Sequence, residues 1–323
     1  MIKKVSFVIP CYVSSHTISH VVQEVNEEMQ RLQQYMWEFV LVDDCSPDDT
    51  FRAIRDLCIN YPNIIGLSLA RNFGQHAALM AGFNYVSGDF IICLDDDGQT
   101  PGEEVGKLLA KMEEGYDAVY ARYDNKQHSV FRNLGSKINS KMTELLLNKP
   151  KNLYISSYFA VRRYIVDEMI KYDNAFPYVI GLVLRSTKHI ANVDVKHRNR
   201  MEGASGYSVA KLLSLWMNGF TAFSVKPLRL ASLLGVLLAL IGFISTILLI
   251  LNKLLHPAEV LLGWSSTMSV MMLIGGVLLI VLGIIGEYIG RIYICMNKSP
   301  QYVIREEIGN RIGKKGEEDF EGT

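Results

Sequence analysis

Apolar residues in the first hundred positions fall into short runs separated by stretches of helical spacing. Val5-Ser6-Phe7-Val8-Ile9-Pro10 has the pattern of a buried strand that Pro10 brings to an end. Over 18–34, Ile18, Val21, Val22, Val25, Met29 and Leu32 recur every three or four residues, which predicts an amphipathic helix. A second strand, 37–42, runs into Asp43-Asp44, and Asp48-Asp49-Thr50 supplies polar N-cap residues for the next helix. A third strand at 64–69 precedes a helix over 75–86, and a fourth occupies 89–94. Strands alternating with helices predict an α/β fold with a mostly parallel sheet, whose ligands bind at the carboxyl ends of the strands. Those ends carry Pro10-Cys11-Tyr12, Asp43-Asp44, Arg71-Asn72 and Asp95-Asp96-Asp97.

After residue 207 the pattern changes. Residues 230–251 are 22 uncharged, mostly apolar positions, and 261–286 form a second uncharged stretch that stops before Glu287. At about 1.5 Å rise per residue each is long enough to cross a bilayer core of about 30 Å. The short connection makes them a hairpin. Lys226 and Arg229 precede the first span, Arg291, Lys298 and Arg305 follow the second, and the loop between holds only Lys253 as a firm positive charge. The excess of positive charge on the outer flanks puts both chain ends and the large N-terminal domain in the cytoplasm.

Leu212, Leu213, Leu215, Trp216, Met217, Phe220 and Phe223 give 209–224 the character of a helix lying at the headgroup level, or of a core helix of the soluble domain. Gly275, Gly276, Gly283, Gly286 and Gly290 permit close helix packing along the second span. The charged segment 305–323 is expected to be partly disordered unless it docks on a neighbouring subunit. The expected organisation is a catalytic domain at 1–207, an interfacial helix at 208–227, the two spans at 228–296 and a cytoplasmic tail at 297–323. Met1-Ile2-Lys3-Lys4 runs directly into a strand pattern, unlike a secretory signal.

The composition narrows the class. With 33 basic and 33 acidic residues the formal net charge is zero, which gives no basic face for nucleic acid. The five cysteines have no CxxC spacing, so they are neither a zinc site nor a disulfide framework, and they fit a reducing compartment.

The strongest chemical signal is Leu94-Asp95-Asp96-Asp97-Gly98-Gln99 at the tip of an apolar strand. Acids packed there are either solvated in a surface turn or hold a cation. Asp95 and Asp97 alternate as a strand end requires, so both can lean toward one ligand. Oxygen-only ligands suit a hard cation such as Mg or Mn, which commonly carries substrate phosphates.

Four runs, Val8-Ile9-Pro10-Cys11-Tyr12, Val42-Asp43-Asp44-Cys45-Ser46-Pro47-Asp48-Asp49-Thr50, Arg71-Asn72-Phe73-Gly74 and Leu94-Asp95-Asp96-Asp97, together resemble the family 2 glycosyltransferases with the GT-A fold. The two spans followed by Gly286-Glu287-Tyr288-Ile289-Gly290-Arg291-Ile292-Tyr293 resemble, within them, the polyprenyl-phosphate glycosyltransferases. That group includes bactoprenol glucosyltransferases, undecaprenyl-phosphate aminoarabinose transferases and dolichol-phosphate mannose synthases.

The resemblance implies a Rossmann-like GT-A domain carrying a membrane hairpin in the bacterial inner membrane. It also implies an inverting transfer of a sugar from a nucleotide-sugar, UDP-linked by preference, to undecaprenyl phosphate, with Mg or Mn as cofactor and a tetramer as a frequent assembly. It implies roles for single residues. Asp95 and Asp97 hold the metal, and Gln99 orients the acceptor phosphate. Pro10, Tyr12, Asp43, Asp44, Arg71, Asp95, Asp96, Arg200 and Ser205 bind the nucleotide-sugar, and Arg122, Arg132 and Lys137 bind the lipid phosphate.

Some positions depart from the family pattern. Tyr12-Val13-Ser14 replaces the usual Tyr-Asn-Glu. The stretch Ile155-Ser156-Ser157-Tyr158-Phe159 lacks the usual Asp and Arg, and Gly206 stands where a Lys is usual, with Arg198 as a candidate replacement. Two other classes stay open: a membrane-tethered nucleotide-sugar-binding protein without transfer, and a processive polysaccharide synthase. The synthase would carry more spans and a Gln-x-x-Arg-Trp motif.

Overall fold

A computed structural model of the chain describes residues 2–123, 149–150, 152–196, 198 and 264–309, with residues 233, 235, 237, 240, 241, 244 and 255. It divides into two compact units, Met1–Leu212 with Ser299–Thr323, and Leu213–Lys298.

The first unit is built on an eight-stranded sheet of order β7-β5-β6-β4-β1-β2-β3-β8. The strands are β1 (Lys3–Cys11), β2 (Tyr35–Asp43), β3 (Ile64–Leu69), β4 (Phe90–Cys93), β5 (Ala118–Tyr123), β6 (Phe159–Arg162), β7 (Ile190–Val195) and β8 (Ile304–Ile308). The expected parallel centre is present: β4, β1, β2 and β3 lie side by side and parallel. Strands β6 and β8 run antiparallel to their neighbours. Central strands covered on both faces are apolar nearly throughout, and β3 and β4 are buried at every position.

Helices α1 (Ile18–Leu32), α2 (Thr50–Asn60), α3 (Gln75–Phe83), α4 (Val105–Glu113) and α5 (Arg163–Met169) pack on this sheet, and α6 (Val179–Ser186) packs against α3 and α5. The stripe Ile18, Val21, Val22, Val25 and Met29 of α1 is buried as its spacing predicts. Helix α3 approaches the sheet more closely than a side chain would permit. A Cβ on Gly82 would stand 2.5 Å from Val8 Cγ1. At α2 the N-cap residue is Asp49, yet Asp48 accepts the bonds, from the Thr50 amide at 3.3 Å and its hydroxyl at 2.6 Å.

The C-terminal segment departs from expectation. Residues Ile304–Ile308, expected to be tail, form β8 and pair with β3 of the same chain. Tyr85 and Arg55 fasten Glu307 and Glu306 of this strand.

In the second unit, helix α7 (Trp264–Met296) has 33 residues, so it continues past Gly286, where the uncharged stretch stops. Its segment Ile274–Met296 is long and apolar enough to cross a membrane. Of the first span, only the scattered positions 233, 235, 237, 240, 241 and 244 are described, all helical. The interfacial segment 209–224 lies outside the described residues.

Candidate active site at the carboxyl edge of the sheet

Because β4, β1, β2 and β3 are parallel neighbours, their carboxyl ends form one edge, and the acids that follow them come together there. The strand order reverses at β1, between β2 and β4, and this switch point is where open α/β sheets leave a crevice. Two bonds tie the edge together at that point. The Tyr12 amide donates to Asp96 Oδ2 at 2.9 Å, and the Asp44 amide donates to the Cys11 carbonyl at 2.9 Å. Tyr12 and Arg71 remain exposed, with the Arg71 guanidinium 4.6 Å from the Phe73 ring centroid. Pro10 lies buried within β1, opposite Val42.

Asp43 and Asp44 are both buried. Asp43 Oδ1 accepts the Ser46 amide at 3.0 Å, and its Oδ2 accepts the Ser68 hydroxyl at 3.1 Å. Asp44 accepts the Phe73 and Gly74 amides at 2.7 and 2.8 Å, so it fixes the entrance to α3. Burial lifts the Asp44 carboxyl above its ordinary range against those two bonds, and neighbouring Asp43 adds to the lift. A carboxylate has about four acceptor positions, so each acid keeps capacity for a ligand.

The next residue along α3 reaches the other acid cluster. Gln75 Nε2 donates to Asp95 Oδ1 at 2.9 Å. Asp95 Oδ2 accepts the Ser157 hydroxyl. Burial pushes the Asp95 carboxyl up to about 6, and Asp97 and Asp96 push in the same direction, while Ser157 and Gln75 oppose them. Asp97 Oδ1 accepts the Gln99 amide at 3.0 Å, and the Gln99 carbonyl accepts the Arg198 amide at 3.0 Å. Tyr123 stands close enough for Asp95 and Asp97 to raise its phenol, already well above its usual range through burial.

This donor set fits a divalent cation. Its ligands are hard oxygens, and the repulsion and burial that raise Asp95 are what a cation relieves. Among the described residues no three His, Cys, Asp or Glu side chains converge as a metal cage, so phosphate and water oxygens would complete the shell. His76 is not a base for this site. Burial lowers it to about 4, which makes it a weak proton acceptor, and it packs edge-on against Tyr178 at 5.0 Å.

Two family descriptions match the chain. Glycosyl transferase family 2 matches residues 6–170, just over half of it, and the GtrB C-terminal hairpin matches residues 226–292. The chain belongs to glycosyltransferase family 2. Among curated proteins this family 2 transferase is 34% identical over 320 residues to the undecaprenyl-phosphate 4-deoxy-4-formamido-L-arabinose transferase of Proteus mirabilis, covering 98% of both chains. It is 36% identical over 311 residues to the protein of that name in Yersinia enterocolitica, covering 95% of this chain and 94% of the other. Among solved structures, a glucosyl-3-phosphoglycerate synthase of Mycobacterium tuberculosis superposes with TM-score 0.51 at 16% identity, covering 68% of this chain and 81% of that one. At that identity the likeness shows the fold, GT-A.

Not every expected residue of the transferase falls in this cluster. The Arg122 guanidinium is forked onto Asp194, with Nε to Oδ1 at 2.5 Å and Nη2 to Oδ2 at 2.8 Å, because β5 and β7 set the two residues opposite one another. Arg198, a candidate replacement for the missing Lys, is paired with Glu24 at 2.5 Å and Glu103 at 3.6 Å. Arg132, Lys137, Arg200 and Ser205 lie outside the described residues. Three contributors escaped the sequence reading. Ser157 lies in a stretch noted only for what it lacks, Gln75 looked like an ordinary first helical residue, and Tyr123 carries no signal beyond following Arg122.

Proposed function

We propose that this family 2 transferase moves a sugar from a nucleotide-sugar, UDP-linked by preference, to undecaprenyl phosphate at the cytoplasmic face of the bacterial inner membrane. The observation that carries the reading is the meeting of the Asp43-Asp44 and Asp95-Asp97 pairs on one sheet edge, joined through residues 73–75. The likeness to undecaprenyl-phosphate transferases along nearly the whole chain supports the lipid acceptor, and the hairpin match supports membrane attachment.

The acceptor is a phosphate monoester, largely ionised near neutrality because its second pKa is about 6. One of its oxygens bonds to the anomeric carbon as the bond from that carbon to the diphosphate oxygen breaks. The nucleoside diphosphate departs, and the sugar inverts. No side chain need take a proton from the acceptor. Asp95 and Asp97 would hold Mg or Mn, which when bound supplies positive charge to the departing diphosphate. Asp43, Asp44, Tyr12, Asp96 and Arg71 frame the nucleotide. Gln99, in the loop after Asp97, orients the acceptor phosphate, and Arg122 draws it in.

The test is a transfer assay on the detergent-purified full chain with undecaprenyl phosphate, Mn or Mg and a panel of UDP- and GDP-sugars. The expected product is a glycolipid formed from one donor, absent with chelator and with Asp97→Ala. Tight nucleotide binding without glycolipid from any donor would overturn transfer and leave a binding protein.

A further inference from the structure

Strand β8 follows the membrane helix in sequence and begins beside the donor-side acid. Its pairing with β3 shifts register there: Ser68 lies opposite Glu306 and Leu69 opposite Ile304, so Arg305 is the extra residue of a bulge. Bulges re-aim side chains, often near active sites. Here the bulge brings Arg305 Nη2 to 3.0 Å from Ser68 Oγ, and that hydroxyl lies 3.1 Å from Asp43 Oδ2. Asp43 and Ser68 are themselves opposite one another in the β2–β3 ladder. Ser68 has no exposed surface and Asp43 has 1%.

The chemistry of the three groups fixes the direction of the bonds. A guanidinium only donates, and a serine hydroxyl has one proton. With Arg305 donating to its oxygen, Ser68 gives that proton to Asp43. The positive charge polarises the hydroxyl and strengthens its bond to the carboxylate. The acids beside Arg305 are engaged elsewhere, Glu306 with Arg55 at 2.7 Å and Glu307 with the Tyr85 hydroxyl at 2.6 Å. The same segment also holds the loop after β3, since the Ala70 amide donates to the Val303 carbonyl at 2.8 Å, one residue before Arg71.

We propose that Arg305 is a positioning residue of the donor site: through Ser68 it sets the Asp43 carboxylate, and nucleotide affinity depends on β8 being docked. This rests on the reading of Asp43 as a nucleotide-site acid.

The test measures UDP and GDP binding by calorimetry on the full chain with Mn, together with KM for donor and for lipid acceptor. It compares wild type, Arg305→Ala, Arg305→Lys, Ser68→Ala and the double variant. Arg305→Ala is expected to weaken nucleotide binding about 5-fold, the worth of one hydrogen bond, with acceptor KM unchanged. Arg305→Lys, which keeps a donor, recovers part of the loss, and the double variant is no worse than Ser68→Ala. Equal nucleotide affinity in wild type and Arg305→Ala overturns the proposal. So does a parallel loss of both substrates with a lowered melting temperature, the mark of a purely structural role. Should Arg305→Ala fail to fold, the comparison of Arg305→Lys with Ser68→Ala decides in the same way. A wild type that binds neither nucleotide overturns the donor-site reading and this inference with it.

Discussion

The Ser157 hydroxyl hydrogen-bonds the Asp95 carboxylate across 62 residues of chain. Ser157 comes just before β6, which runs antiparallel beside β4, so the pairing of those strands delivers it to the acid at the tip of β4. The bond works against the burial and the neighbouring acids that push Asp95 up to about 6.

Ser157→Ala is therefore expected to raise the Asp95 carboxyl further. A proton then competes with a cation to higher pH. Mn titrations should show affinity falling as pH drops toward 6 in wild type, and a loss in the variant that grows as pH falls and approaches about 5-fold below pH 6, the worth of one hydrogen bond. The gap should close at pH 8, where both carboxyls are ionised. A pH-independent difference would show that Ser157 acts through shape alone.

Val13 occupies the left-handed region, with φ of 56°, and the residue is 55% exposed. A β-branched residue there is strained by about 1–2 kcal/mol, whereas Asn tolerates the conformation. The Val13 amide donates to Ser46 Oγ at 3.1 Å, beside Asp43. Val13→Asn is expected to stabilise the protein by about 1 kcal/mol, seen as a higher melting temperature. An unchanged or lower melting temperature would count against strain at this turn.

Glu38 is buried in β2 and bound by Lys4 at 2.5 Å, Ser6 at 2.6 Å and the Ser87 amide at 2.6 Å. Burial opposes its ionisation, but these partners outweigh burial and hold the carboxyl below its ordinary value. A folded pKa below the unfolded one, about 4.3, means the stabilisation is present above that value and is lost as pH falls through the folded pKa. Glu38→Gln should cost about 2 kcal/mol at pH 7, and the difference from wild type should shrink below about pH 4. Chemical unfolding at several pH values checks both statements.

The fork between Arg122 and Asp194 makes a separate claim testable. If Arg122 draws in the lipid phosphate, it does so while sharing its charge with Asp194. Asp194→Asn should then lower the acceptor KM, and Arg122→Ala should raise it, with donor KM unchanged in both. Equal acceptor KM in all three proteins would remove Arg122 from the acceptor site.

The central strands, the buried stripe of α1 and the acids at the strand ends were legible because each follows from local periodicity. A run of apolar residues has to be buried, and the polar residues that follow it mark where the chain leaves the sheet. That alone placed Asp43, Asp44, Asp95 and Asp97 at one edge once the strands were parallel. Strand order and long-range pairing decided the rest. Ile304-Arg305-Glu306-Glu307-Ile308 reads as charged tail, and it becomes a strand only because β3 offers an unpaired edge with partners for its acids at Arg55 and Tyr85. Ser157 reached Asp95 through the β4–β6 pairing, and Arg122 met Asp194 through the β5–β7 register. Such contacts join residues far apart in the chain, and no spacing within a single segment encodes them.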